Sequence, residues 1–219
     1  MKSLIAAAAL AACSLPLSAA TQTMVFTEYT LSYDDSSELG SLAFNSVGAE
    51  GALGFGWELP VSLVAVEDSV SFTLPSFTLT ANAGYSLGGV LSGFIGNLSF
   101  SEYQSGSTSA SVSGLLSIDG GPAYSLSGEL DRFEQVNTSF GRAGYFAAQD
   151  FTDLYGVSSI TVSELTLTLN ASEQATIFST GQGRLEVGFF AIPVPEPETY
   201  ALLLAGLGLV GLAARRRLH

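Results

Sequence analysis

Basic and nucleophile-activating chemistry is almost missing from this chain. Seven of its 219 residues are Lys or Arg, one is His and one is Cys. Lys2 and Cys13 stand near the start and His219 is the last residue. Between residues 21 and 193 the only basic side chains are Arg132, Arg142 and Arg184, against eighteen acidic ones, a formal charge of −15. Each shortage excludes a class of function. Without cysteine the body forms no disulfide, whatever its compartment. Without histidine or cysteine it cannot build a zinc site of the usual kind. An acidic surface repels phosphate, which excludes nucleic acid as a partner, and it does not rest on an anionic leaflet. Long helical periods and internal repeats are also absent between the two ends.

What fills the body is the period-two pattern of half-buried antiparallel strands, rich in β-branched and aromatic residues. Val25, Thr27, Tyr29, Leu31 and Tyr33 share one face of an extended segment. Leu165, Leu167 and Leu169 alternate with threonines, and Leu185, Val187, Phe189 and Ala191 alternate with Glu186 and Gly188. The clearest hairpin spans Ser109 to Leu130, turning at Asp119-Gly120-Gly121-Pro122, where positive φ comes at little cost. Around Pro75 the phase flips, from Val70, Phe72 and Leu74 to Phe77 and Leu79, which predicts a bulge or a sheet-crossing bend. Further strands are expected at 61–66, 85–91, 94–100, 140–147, 174–179 and 184–192. Ten or so short strands predict an all-β antiparallel sandwich of jelly-roll type over residues 21–193.

Both ends are built differently. Met1-Lys2-Ser3, the apolar run from Leu4 and the small residues Ser18-Ala19-Ala20 form a secretory signal over 1–20, cleaved by signal peptidase after Ala20. Leu10-Ala11-Ala12-Cys13 also has the form of a lipobox, in which Cys13 would be lipidated. The second acceptable cleavage site beyond it, and the redundancy of two anchors, favour Ala20. At the other end Val194-Pro195-Glu196-Pro197-Glu198 makes a stiff polar hinge, 194–198, since proline cannot continue a helix backwards. Residues 199–214 then carry no charge, and Arg215, Arg216 and Arg217 follow in a basic tail, 215–219. Sixteen helical residues cover roughly 24 Å, short of a hydrocarbon core of about 30 Å. Snorkelling arginines and an interfacial Tyr200 close that gap, and the arginines place the C-terminus in the cytoplasm.

This tail resembles the PEP-CTERM sorting signal of Gram-negative bacteria. The resemblance rests on Val194-Pro195-Glu196-Pro197, on Leu202-Leu203-Leu204, on Gly206-Leu207-Gly208-Leu209 and on Arg215 to Arg217. It covers about an eighth of the chain. It implies an exosortase-type membrane protease as partner, acting near Pro195 to Pro197. It also implies an inner-membrane stage, then release or transfer to the cell surface, often beside exopolysaccharide production.

Motifs elsewhere supply no chemistry. Gly84-Tyr85-Ser86-Leu87-Gly88 fits a nucleophile elbow, yet that serine needs a base, and the one histidine lies beyond the apolar tail. Gly206 to Gly211 spells a dinucleotide fingerprint inside an apolar span, where glycines serve helix approach instead, so no cofactor is expected. Asp34-Asp35, Glu67-Asp68 and Asp150 with Asp153 are the densest carboxylates. They suit solvated turns or an oxygen-only calcium site. Trp57 and Phe55 suit a core, the commoner place for them, or a platform for sugar rings. Eighteen acids make some carboxylate pair inevitable, so that pattern by itself selects no glycosidase. The expectation is a non-enzymatic exported surface or matrix protein that binds polysaccharide or calcium. The alternative is a secreted carboxylate-dependent glycan-active enzyme.

Overall fold

The computed structural model describes residues 21–39, 42–47, 52–195 and 201–210. The signal segment with Ala20 and Cys13, Glu196 and Pro197 of the sorting motif, Arg215 to Arg217 and His219 lie outside the described residues.

Strands alternate between two antiparallel sheets. The first sheet holds β1 (Thr21–Val25), β2 (Tyr29–Asp34), β6 (Ser69–Thr73), β7 (Phe77–Ala81), β9 (Thr108–Ile118), β10 (Tyr124–Glu129) and β13 (Ser159–Ala171). The second holds β3 (Phe44–Val47), β4 (Ala52–Glu58), β5 (Val64–Val66), β8 (Tyr85–Tyr103), β11 (Asp131–Asn137), β12 (Gly141–Val157) and β14 (Ala175–Pro193). The first runs β1-β2-β7-β13-β9-β10, with β6 also on β13; the second runs β11-β12-β8-β14-β4-β3, with β5 also on β14.

The expected alternation is what makes the sandwich. Tyr29, Leu31 and Tyr33, then Leu165, Leu167 and Leu169, then Leu185, Val187 and Phe189, are all buried between the sheets. An aromatic cluster fills the middle: Phe55 meets Phe77 edge-on at 5.2 Å, Trp57 meets Tyr33 at 5.7 Å, and Tyr29 meets Phe189 at 4.9 Å. Each such burial contributes roughly 1.5–3 kcal/mol, and the edge-to-face contacts add to that. The platform considered at Phe55 and Trp57 is therefore core: both are fully buried.

Several boundaries differ from the sequence reading. Val25 and Thr27 do not continue the strand of Tyr29, because the chain turns at residues 26–28 and β1 folds back on β2, pairing Val25 with Thr30. Segments 85–91 and 94–100 are one strand, β8, and 174–179 and 184–192 are one strand, β14. The β14 period breaks at a pair of facing bulges, while β8 runs on through residues 92 and 93 beside a second register shift between Gly188 and Phe190. Asn97 takes φ of 61°, and residues 180–183 loop out between Ser179 and Arg184. The segment expected at 61–66 is strand only from Val64, while that at 140–147 runs on to Val157.

The flip at Pro75 is neither a bulge nor a sheet crossing but a break between two strands of one sheet. β6 and β7 lie end to end along β13 in one register, Thr73 opposite Thr166 and Phe77 opposite Val162. On its other edge β13 slips against β9 between Ser163 and Thr166, where Glu164 takes φ of 54°. Neighbouring strands thus change phase together, and the inward set stays inward.

Residues 201–210 are helical and exposed throughout. Ten residues cover only ~15 Å, and among the described residues no helix is long and apolar enough to cross a membrane. The span expected over 199–214 extends beyond the described part at both ends.

Candidate functional site

The sorting segment leaves directly from the sheet. Pro193, the last residue of β14, pairs with Tyr85, and the Val194 N–H donates to the Gly84 carbonyl at 2.8 Å. Pro195 is the next residue and is exposed. The Gly84 to Gly88 turn that matched a nucleophile elbow is thus the seat of the tail. Gly84 takes φ of 82°, Ser86 pairs with Ile192, and Leu87 is core. A strand follows the serine, whereas the elbow needs a helix there.

The two outer faces differ in chemistry. That of the first sheet carries cross-strand hydroxyl pairs, Thr23 with Ser32 at 3.2 Å, Ser71 with Thr168 at 3.1 Å and Thr78 with Thr161 at 3.1 Å. Near one end of that sheet a hollow of about 320 Å³ is lined by Asp68, Asn170 and several serines. Its polar groups bond one another: Ser69 donates to Asn170 at 2.5 Å, and Asn170 donates to Ser109 at 3.3 Å.

The outer face of the second sheet has a depression of about 420 Å³ where its bulges align. Glu58, Phe94, Asn97, Gln182, Arg184 and Glu186 line it. Register explains the grouping. Arg184 stands opposite Glu58 on β4 and Gly96 on β8, and Glu186 stands opposite Gly56 and Phe94. Glu58 and Glu186 are diagonal neighbours, roughly 7–8 Å apart by sheet geometry. Asn97 donates its amide N–H to the Gln182 carbonyl at 3.3 Å, holding the loop 180–183 against β8. Two glycines let the strands pack closely at the bulge. A Cβ on Gly96 would sit 2.6 Å from that of Ala147, and one on Gly183 would sit 2.9 Å from the Leu59 side chain. An aromatic ring beside carboxylates, amides and a guanidinium can stack on an apolar ring face while bonding hydroxyls at its edge.

Five of the six carboxylates considered for calcium, all but Asp153, accept hydrogen bonds from the protein itself. Asp34 accepts from the Ser36 N–H and Asp35 from Gln22, both at 2.8 Å. Glu67 accepts from the Gln174 N–H, Asp68 from that of Ser69 and Asp150 from that of Phe151. Among the described residues no three acidic, His or Cys side chains gather as a metal group.

Sequence reasoning missed a buried charge cluster. Glu102, with its side chain 1% exposed, bonds Arg132 through both oxygens at 2.7 Å and Arg142 at 2.9 Å. Thr108 donates to it at 2.7 Å. The Arg132 guanidinium also lies 4.0 Å over the Phe100 ring and reaches Glu134 at 3.1 Å. Burial works to raise the Glu102 carboxyl. Hydrogen bonds from Arg132 and Thr108 and the charges of both arginines outweigh it, and the net effect is a lowering. The available signal was its phase, since Leu98, Phe100 and Glu102 share the inward face of β8. All its hydrogen-bonding capacity is used by the protein, which marks it as a structural clamp.

No curated protein sequence matches the chain. A solved structure of TmCBM61 in complex with beta-1,4-galactotriose aligns over 77% of this chain and 90% of that one, at 13% identity. Its TM-score of 0.23 is too low for the likeness to bear on function. The family model for the PEP-CTERM protein-sorting motif matches residues 193–217. The chain therefore ends in a PEP-CTERM sorting motif, the mark of an exported protein processed by exosortase-type machinery.

Proposed function

We propose that this is a non-catalytic, exported surface protein whose sandwich, of jelly-roll connectivity, is displayed to bind glycan. Signal peptidase removes 1–20 after Ala20. Residues 199–214 hold the chain in the inner membrane with Arg215, Arg216 and Arg217 on the cytoplasmic side. An exosortase-type protease then acts at Val194, Pro195, Glu196 and Pro197, leaving the body at the cell surface or outside the cell. The observation that carries the display part is the join: the body's last strand passes into the motif within one residue, Val194, bonded to Gly84. Processing thus releases a complete sheet. The binding part is supported by the depression at Phe94, whose mixed lining suits sugar rings and hydroxyls.

A second reading has one observation in its favour. Glu58 and Glu186 share that depression as diagonal neighbours on adjacent strands, the pairing of two acids that a glycosidase uses. The depression is only partly enclosed, which favours binding over a reaction that needs water controlled. One experiment separates the two. The full chain in detergent is applied to a glycan array, and the same glycans are assayed for released sugar. Retention that Phe94→Ala weakens at least tenfold, with no release, is the expected result. Release that Glu58→Gln or Glu186→Gln abolishes would establish the enzyme instead. No retention on any glycan would remove the binding part altogether.

A further inference from the structure

A second group of side chains on the same sheet face extends this reading, and rests on it. Register sets Phe133 of β11 opposite Tyr145 of β12, Tyr145 opposite Ser99 of β8, and Ser99 opposite Phe178 of β14. Their neighbours Arg132, Phe146, Phe100 and Leu98 point inward, where Arg132 covers the Phe100 ring. Alternation therefore turns Phe133, Tyr145, Ser99 and Phe178 outward. Phe133 and Tyr145 stack at 5.0 Å with planes 14° apart, and Phe133 remains 44% exposed. Strands are about 4.8 Å apart, so the row from Phe133 to Phe178 spans roughly 14 Å.

Ser99 stands five positions beyond Phe94 on β8, roughly 15 Å along the strand. The aromatic row and the Phe94 depression thus lie on one face, either side of the Asn97 bulge. Aromatic rings in an exposed row, next to a polar hollow, fit a chain of sugar rings with alternating apolar faces and hydroxyl edges.

Charge sets the class. The body carries −15, and Arg132 and Arg142 are turned inward onto Glu102. Arg184 shares the depression with two glutamates. Such a face repels a polyanion. We propose that the outer face of the second sheet binds a long neutral polysaccharide, which spans the Phe94 depression and the Phe133–Tyr145–Phe178 row together.

The test compares chain lengths. The full chain in detergent is titrated with neutral β-linked glucan, galactan, mannan and xylan, with their trisaccharides, and with polygalacturonate as the polyanion. One neutral polymer is expected to bind at least tenfold more tightly than its trisaccharide, and polygalacturonate weakest. Tyr145→Ala and Phe133→Ser each remove that length advantage while leaving trisaccharide binding unchanged. Phe94→Ala weakens both. Thermal melts check that the variants remain folded. Equal long-chain binding by wild type, Tyr145→Ala and Phe133→Ser overturns the extended face, while loss in Phe94→Ala alone would leave the single-depression reading standing. Polymer and trisaccharide both failing to bind wild type would defeat the two readings together. Light scattering gives a further outcome: a dimer that Tyr145→Ala dissociates would make the row an interface between copies, and would also overturn the proposal.

Discussion

Arg132 holds Glu102 through two parallel 2.7 Å bonds, and the carboxylate between them is almost wholly buried. The pair joins β8 to β11, two strands that are not neighbours in the sheet, since β12 lies between them. Thr108 on β9 brings in the other sheet. The contact therefore closes the sandwich where β10 of one sheet passes to β11 of the other.

Glu102→Gln is expected to destabilise the body by about 3 kcal/mol, the low end for breaking a buried pair, because Arg132 is itself a quarter exposed. Denaturant unfolding measures it. The wild-type contribution is present above the ordinary carboxylate pKa and is lost as pH falls through the lowered folded value. Glu102→Gln should flatten that acid limb. An unchanged acid limb would show that the clamp does not set acid stability.

Tyr29 gives the opposite pH response. Burial, then the nearby charge of Glu28, pushes its hydroxyl up to about 12 from 10.0. The folded state thus holds this proton more tightly than the unfolded one. Its contribution is complete below pH 10 and disappears as pH rises toward 12, a loss of about 3 kcal/mol. The hydroxyl has no hydrogen-bond partner among the described residues. Tyr29→Phe should therefore raise stability at pH 7 by about 1 kcal/mol and remove this alkaline loss. Melting temperatures across pH 7 to 12 measure both.

The sheets were largely legible because inward residues recur every second position. Leu165, Leu167 and Leu169 need no partner strand to announce their face. The hairpin was legible because Asp119 and Gly120 take φ of 50° and 67°, conformations their residue types accept. Continuity of β8 and β14 was not. Asn97 and residues 180–183 interrupt the period locally, yet facing bulges keep the strands paired, and that depends on neighbours distant in sequence. For the same reason Phe94, Arg184 and Glu186 had no visible connection, as registers among β4, β8 and β14 bring them together. The tail was legible because its signal lies in consecutive residues.

Backbone strain at Glu164 offers a gain. Its φ of 54° lies in the left-handed region, which costs a side-chain-bearing residue roughly 1–2 kcal/mol. Its side chain is exposed and outside the core. Glu164→Gly should raise stability by about 0.5–1 kcal/mol after the entropy that glycine loses on folding. Gly144→Ala is the matched opposite, since its Cβ would run into the Phe133 carbonyl, and urea midpoints should move in opposite directions.

Processing of the tail tests the address separately from the body. Glu196 follows Pro195, beyond Val194, whose N–H makes the last backbone bond to the sheet among the described residues, so Glu196→Ala should leave the melting temperature unchanged. Deleting Arg215 to Arg217 should do the same, as the motif's basic end is far along the chain from β14. In the native host both variants are expected to accumulate with the tail intact, in the membrane fraction or mislocalised, while wild type loses it. Intact-mass measurement of each fraction gives both termini at once, and so reads the Ala20 cleavage in the same spectrum. Wild-type masses from both variants would mean that neither Glu196 nor the arginines are read by the protease. A tail retained together with a lowered melting temperature would trace the defect to the fold, since an unfolded body also fails to reach the surface.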